Sequence, residues 1–143
     1  MHSTRTNPLR WETRAFTLLE SLLTLAITSF LVLTLTASVA TIFDRAKETL
    51  FFIEFEQLYV ESQQLAIQSH QQVVLEVEAG KIGNGYQQIE LPSTVAPEKS
   101  YRIVFDAGTG GNSSLQKVVF QTAHQSVAYQ LYIGSGRYKK SES

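Results

Sequence analysis

One carboxylate near the start of a long apolar stretch is the residue of this chain best placed to do chemistry. Glu20 directly precedes residues 21–43, which contain no charged side chain. A carboxylate in lipid hydrocarbon costs a few kcal/mol, so its presence there indicates a functional partner. At about 1.5 Å per residue the stretch reaches roughly 35 Å, enough to cross a bilayer core of about 30 Å. The pattern therefore predicts an ion-pairing role for Glu20 beside a membrane-spanning helix.

The residues around Glu20 resemble the signature of the type IV prepilin family. Arg14 supplies a basic flank, Ala15 stands where the family usually has glycine, and the sequence Phe-Thr-Leu-Leu-Glu runs from Phe16 to Glu20. The resemblance implies that a prepilin peptidase cuts between Ala15 and Phe16 and methylates the new amine of Phe16. It also implies that Glu20 assists filament assembly.

The same resemblance implies a division of the chain into three parts. Residues 1–15 are a leader peptide, 16–43 the transmembrane and assembly half of an N-terminal helix, and 44–143 an extracytoplasmic pilin-like domain. Major pilins commonly carry a proline where this chain has Ala37. The short chain, which has no cysteine, is most similar to the minor pseudopilins of Gram-positive competence systems.

That resemblance implies a structural subunit of a DNA-uptake pilus, acting with other minor and major pseudopilins. An alternative of the same architecture is a minor pseudopilin of a type II secretion system or of a type IV pilus. In each case prepilin peptidase is a partner, and residues 16–43 hold the protein in the membrane. Three arginines precede the apolar stretch and the flank after it is balanced in charge, so we expect a single-pass protein with a cytoplasmic N-terminus. After assembly the subunit is expected on the cell surface.

The partner of Glu20 follows from elementary electrostatics. After cleavage the amine of Phe16 is a cation, and the same amine on a neighbouring subunit is a natural counter-charge for a carboxylate one turn further along. Two alternatives remain open at this point. The carboxylate could reach the lipid headgroups, or it could interact with the positive end of its own helix dipole.

A different interpretation of the N-terminus is an ordinary signal peptide. Residues 21–36 would then be its apolar region, and Ser38-Val39-Ala40 fits the small-x-small pattern before a cut at Thr41. The product would be a secreted binding module. Against this, the uncharged run exceeds the usual length of about 7–15 residues, and Glu20 lies where such a region is normally uncharged.

The distribution of glycine and proline predicts one long helix. Every glycine lies at Gly80 or later, and no proline occurs between Pro8 and Pro92, so the helix is expected from Phe16 to about residue 70. Its second half, from residue 44 onward, is amphipathic. We expect its apolar stripe to pack on the domain's own sheet, since the stripe is short and lacks sustained heptads. The stripe comprises Phe51, Phe55, Leu58, Ser62 and Leu65.

Beyond residue 71 the apolar pattern changes to a period of two, which is typical of strands. The expected strands are 73–78, 86–91, 101–105, 115–122 and 126–133. Gly108–Asn112 is glycine-rich but has no following Gly-Lys-Ser/Thr, so it predicts a hairpin turn and not a phosphate site. The fold class is therefore α+β, a long N-terminal helix packed on a small antiparallel sheet of about five strands.

The residue types that usually carry catalysis are not grouped in this sequence. His2, His70 and His124 are widely spaced and there is no cysteine, so no metal site is predicted. No Ser-His-Asp or Cys-His pattern is present. We therefore expect no catalytic residue, no cofactor and no small-molecule substrate.

A short basic segment closes the chain and is the candidate for DNA contact. It contains Arg137, Lys139 and Lys140, with Tyr138 between them. Such residues can bind phosphates and stack on a base, with weak and salt-dependent affinity. The alternative is a solvated, frayed terminus. The chain as a whole has 12 basic and 13 acidic residues, so it has no net positive charge that would attract nucleic acid.

Overall fold

The computed structural model describes residues 9–143, with side chains from Thr17 onward except at position 37. Helix α1, Leu9–Ser69, is followed by strands only. The first eight residues of the predicted leader lie outside the described part, and so do the side chains of Ala15 and Phe16. The chain forms two compact units, one ending at Phe43 and the other running from Asp44–Ser143.

The second unit contains two four-stranded antiparallel sheets, which confirms the α+β class. The first sheet has the order β3-β2-β1-β5 and the second the order β4-β6-β7-β8. In chain order the strands are β1 Val73–Glu78, β2 Lys81–Gly83, β3 Gln88–Glu90, β4 Ala96–Pro97, β5 Tyr101–Phe105, β6 Gln116–Gln121, β7 Ser126–Leu131 and β8 Tyr138–Glu142.

The strands with alternating apolar residues lie where the sequence predicts them. In β1, Val73, Leu75 and Val77 are buried, whereas Glu76 and Glu78 are exposed. This alternation places every second side chain in the core. Strands β5, β6 and β7 follow the predicted segments within two residues at each end.

The number of strands and sheets differs from the expectation of about five strands in one sheet. Strands β2, β4 and β8 were not expected, because two of them are only two or three residues long and β8 is mostly polar. Their pairing depends on neighbours elsewhere in the chain, and period-two alternation does not reveal it. The predicted turn at Gly108–Asn112 is present, because the Asp106 amide donates to the Gly111 carbonyl at 2.9 Å and Phe105 forms an antiparallel bridge with Asn112. The turn does not join two paired strands, since β5 pairs with β1 whereas β6 pairs with β4 and β7.

The same glycine-rich turn connects the two sheets and closes the end of α1. The amide of Gly108 donates to the carbonyl of Ala66 at 3.0 Å, which satisfies a carbonyl at the helix C-terminus. Gly110 has φ +65, and a Cβ there would meet Ile67 at 2.8 Å. A glycine is therefore required where the loop crosses the helix.

The core lies between the second half of α1 and the two sheets. The predicted stripe is confirmed, since Phe51, Phe55, Leu58 and Ser62 are buried and Leu65 is half-buried. The ring of Phe55 packs edge-on against Phe120 of β6 at 5.1 Å between centroids. The same face also buries Phe52 and Tyr59. The amphipathic half of α1 thus packs on its own domain, as its sequence predicts.

Candidate functional site

Glu20 lies on an exposed surface of α1 together with four hydroxyl-bearing side chains and Leu25. Thr17, Ser21, Thr24 and Thr28 border the same shallow groove. The hydroxyl of Ser21 donates to the Thr17 carbonyl at 2.9 Å, and that of Thr24 donates to the Glu20 carbonyl at 2.8 Å. These hydroxyls are thus satisfied within the helix. Among the described residues, no donor contacts the Glu20 carboxylate.

The helix around Glu20 presents large apolar side chains on all sides. Leu18, Phe30 and Leu33 are each at least 67% exposed. Within the described residues, α1 is the helix that is long and apolar enough to cross a membrane. Apolar surface of this extent needs lipid or other apolar helices around it.

The predicted processing site and its rival both fall on α1. The backbone of Ala15 and Phe16 is helical, while their side chains lie outside the described part. Val39 and Ala40, the end of the ordinary signal-peptide pattern, also lie within α1. The secondary structure therefore does not distinguish the two cuts, and cleavage before Phe16 stays a prediction.

The basic segment near the C-terminus is a strand. Tyr138–Glu142 forms β8, which pairs with β7 from Leu131↔Tyr138 to Val127↔Glu142. The expectation of a frayed terminus is therefore wrong. The sequence did not predict this strand, because the segment is mostly polar and the apolar residues of the pair lie on its partner strand.

Two of the four predicted DNA-contact residues are engaged inside the domain. The Lys140 ammonium lies 3.2 Å from Oε1 of Glu56 and 3.5 Å from Oε1 of Glu142. The half-buried Tyr138 ring packs edge-on against Tyr59 and Tyr129, with centroids 5.1 and 5.4 Å away. Both side chains thus have partners within the domain, although Lys140 is itself exposed.

The other two residues of the basic segment, Arg137 and Lys139, are exposed. Neither side chain makes an ion pair among the described residues. Arg137 and Lys139 are thus the cations of the segment whose charges are unpaired among the described residues.

Glu56 on α1 connects the helix to β7 and β8, and the sequence did not reveal this role. Besides Lys140, its carboxylate accepts a hydrogen bond from the Tyr129 hydroxyl at 2.8 Å. Burial raises the pKa of Tyr129, and the hydrogen bond and the charge of Glu56 raise it further. Tyr129 therefore remains a neutral donor throughout the physiological pH range. The local sequence gives no sign of this role, because the partners of Glu56 are far away along the chain.

A groove of about 440 Å³ lies beside this cluster. Glu48, Glu56, His124 and Glu142 contribute to its lining. No group of three or more His, Cys, Asp or Glu side chains within the described residues could hold a metal ion. The groove thus contains the Lys140–Glu56 ion pair between β8 and α1, together with the buried Glu48.

The fold and the Glu20 surface together define the class of this protein. A long apolar N-terminal helix, whose second half packs on antiparallel sheets, is the architecture of a pilin-like protein with a membrane-associated helix. No protein-family model matches the chain, and no solved structure matches it.

A curated relative identifies the family within this class. Over 127 residues the chain is 43% identical to competence protein ComGD of Streptococcus pneumoniae (strain ATCC BAA-255 / R6), covering 89% of this chain and 79% of the relative. The chain therefore belongs to the ComGD family of competence proteins. The resemblance to the minor pseudopilins of Gram-positive competence systems, drawn from the short chain without cysteine, is confirmed.

Proposed function

We propose that this protein is a minor pseudopilin, a structural subunit of the pilus that takes up DNA during natural transformation. The 43% identity to ComGD is the observation that carries the proposal. It favours a competence machine over a type II secretion system or a type IV pilus. The described residues supply an apolar helix and a small packed domain, which suit a subunit of a filament and not an enzyme.

The proposed path to the filament begins in the membrane. Prepilin peptidase removes residues 1–15 by cutting between Ala15 and Phe16, and it methylates the Phe16 amine. The segment 16–43 spans the membrane and leaves the domain 44–143 outside. Glu20 then pairs with the Phe16 amine of a neighbouring pseudopilin, because its own chain offers the carboxylate no donor among the described residues. Pairing offsets the cost of moving both charges out of water and fixes the axial register.

The proposed location can be tested in competent cells. We expect the protein in the filament fraction that shearing releases from the cell surface, together with other pilin-like proteins, and in the membrane fraction of cells that lack prepilin peptidase. Immunoblots of both fractions measure this. Recovery only as a secreted, soluble protein in both strains would refute the pseudopilin assignment.

The proposed contact with DNA is weak and uses Arg137 and Lys139. Replacing both with alanine should reduce DNA retention by residues 44–143, and it should lower the log–log salt slope by about one unit per lost phosphate contact. Filter binding at several salt concentrations measures both. Arg102→Ala with Lys117→Ala removes two exposed charges elsewhere and serves as the control. Equal retention by both double variants and the wild type would leave the protein a purely structural subunit.

A further inference from the structure

The groove of about 440 Å³ contains one buried carboxylate without a counter-charge. Glu48 lines this groove and is only 7% exposed, and its Oε1 atom has no hydrogen-bond partner among the described residues. The other two carboxylates of the groove, those of Glu56 and Glu142, both pair with the Lys140 ammonium, at 3.2 and 3.5 Å. A buried carboxylate without a partner is unfavourable, so the groove favours one further cation.

Arg45 brings a cation of the opposite need to the same groove. It lines the groove and is exposed. Within the described part of the chain, its guanidinium makes no ion pair with Glu48 or with any other carboxylate. Guanidinium groups bind phosphate well, often through two parallel hydrogen bonds. The groove therefore suits a ligand that carries charges of both signs.

The kind of cation follows from the chemistry of Glu48. Its carboxylate needs N–H donors, of which a primary ammonium group has three and a quaternary ammonium group has none. Among the described residues there is no group of His, Cys, Asp or Glu side chains that could hold a metal ion, which favours an organic cation. The volume of the groove lies in the range of about 300–1,000 Å³ that is usual for small-molecule sites.

The place of Arg45 and Glu48 in the sequence indicates the source of such a ligand. They follow the segment 16–43 by two and five positions on the same helix, α1. At about 1.5 Å per residue these positions lie roughly 3 and 8 Å beyond residue 43 along a helix. The headgroup layer of a bilayer is about 5–8 Å thick on each side. A lipid headgroup is thus within reach of both side chains.

We propose that this groove binds the headgroup of a membrane lipid that carries both a phosphate and a primary ammonium group. Glu48 accepts hydrogen bonds from the ammonium, and Arg45 donates hydrogen bonds to the phosphate. The proposal rests on the proposed function, which places residues 16–43 in the membrane. The lipid is a ligand of the subunit while the subunit remains in the membrane.

Native mass spectrometry of the full chain in detergent micelles tests the choice of headgroup. The protein is mixed with equal amounts of phosphatidylethanolamine, phosphatidylcholine and phosphatidylglycerol of the same acyl chains, and the lipids that stay bound are counted. Phosphatidylcholine has the same charges as phosphatidylethanolamine but no N–H donor, and phosphatidylglycerol has no cation. We therefore expect phosphatidylethanolamine to be retained several-fold more than either of the others.

Substitutions in the groove identify the two side chains. Glu48→Gln should lower the retention of phosphatidylethanolamine several-fold, to the level of phosphatidylcholine. Arg45→Gln should also lower it several-fold, and because Arg45 is exposed this variant is expected to fold normally. Glu54→Gln and Arg102→Gln make the same charge changes at exposed positions outside the groove, so they should keep the wild-type preference.

Equal retention of phosphatidylethanolamine and phosphatidylcholine by the wild type would overturn the site, and so would a wild-type preference in either groove variant. Soluble glycerophosphoethanolamine should displace the lipid only in large excess. Displacement at an equal concentration would overturn the lipid as the source. If the preference fails while the protein is still recovered in sheared filaments, the headgroup site fails alone. Absence from the filaments indicates failure of the proposed function itself.

Discussion

Replacing Glu20 with alanine is expected to leave the protein in the membrane and to remove it from filaments. In the assembled state the variant leaves the Phe16 amine of a neighbour without its counter-charge. Breaking a buried ion pair in this way costs about 3–5 kcal/mol, which corresponds to a loss of incorporation of about 100-fold or more. Insertion into the membrane should be unchanged or improved, because one charge has left the apolar segment. Immunoblots of sheared filaments and of membranes measure the two quantities.

Two neighbouring changes separate the ion pair from a general effect of substitution. Glu20→Gln keeps the size of the side chain but removes its charge, so it should fail in the same way. Ser21→Ala removes a hydroxyl that bonds only within the helix, so it should assemble normally. Wild-type filament levels of Glu20→Ala would instead indicate that the carboxylate merely reaches the headgroups.

Replacing Phe55 with alanine should lower the free energy of unfolding of the outer domain by about 3–5 kcal/mol. The Phe55 side chain is 1% exposed, and its ring packs edge-on against Phe120 and Tyr129 at 5.1 and 5.0 Å. The substitution leaves a cavity between the helix and the second sheet. Leu58, which is 2% exposed, should show a similar loss of about 2–5 kcal/mol when replaced with alanine.

Urea unfolding of residues 44–143 measures these changes, and Ile53→Ala provides the control. Ile53 lies on the same helix but is 57% exposed, so its replacement should change stability by no more than about 0.5 kcal/mol. A stable Phe55→Ala domain would mean that the Phe55 stripe does not form the core.

The elements that the sequence predicted are those whose signal is local. The stripe from Phe51 to Leu65 and the alternation in β1 report which face is buried, because burial sets the pattern of each element separately. The motif around Glu20 is likewise contained in a few consecutive residues. These features follow from the chain before any tertiary contact is known.

The features that sequence reasoning missed depend on distant residues. Strand β8 exists because β7 offers it hydrogen bonds and because Lys140 reaches Glu56 on α1. The division into two sheets depends on β5 pairing with β1 while β6 pairs with β7. Neither pairing produces a periodic pattern of apolar residues in the local sequence. For the same reason the sequence could not show which side chains of the predicted DNA segment have partners within the domain.

The mass of the protein recovered from sheared filaments tests the central claim most directly. Processing as a prepilin predicts a chain that begins at Phe16, carries one N-terminal methyl group and retains Glu20 close to its amine. A chain that begins at Thr41, without the apolar segment and without Glu20, would contradict the assignment as a pseudopilin.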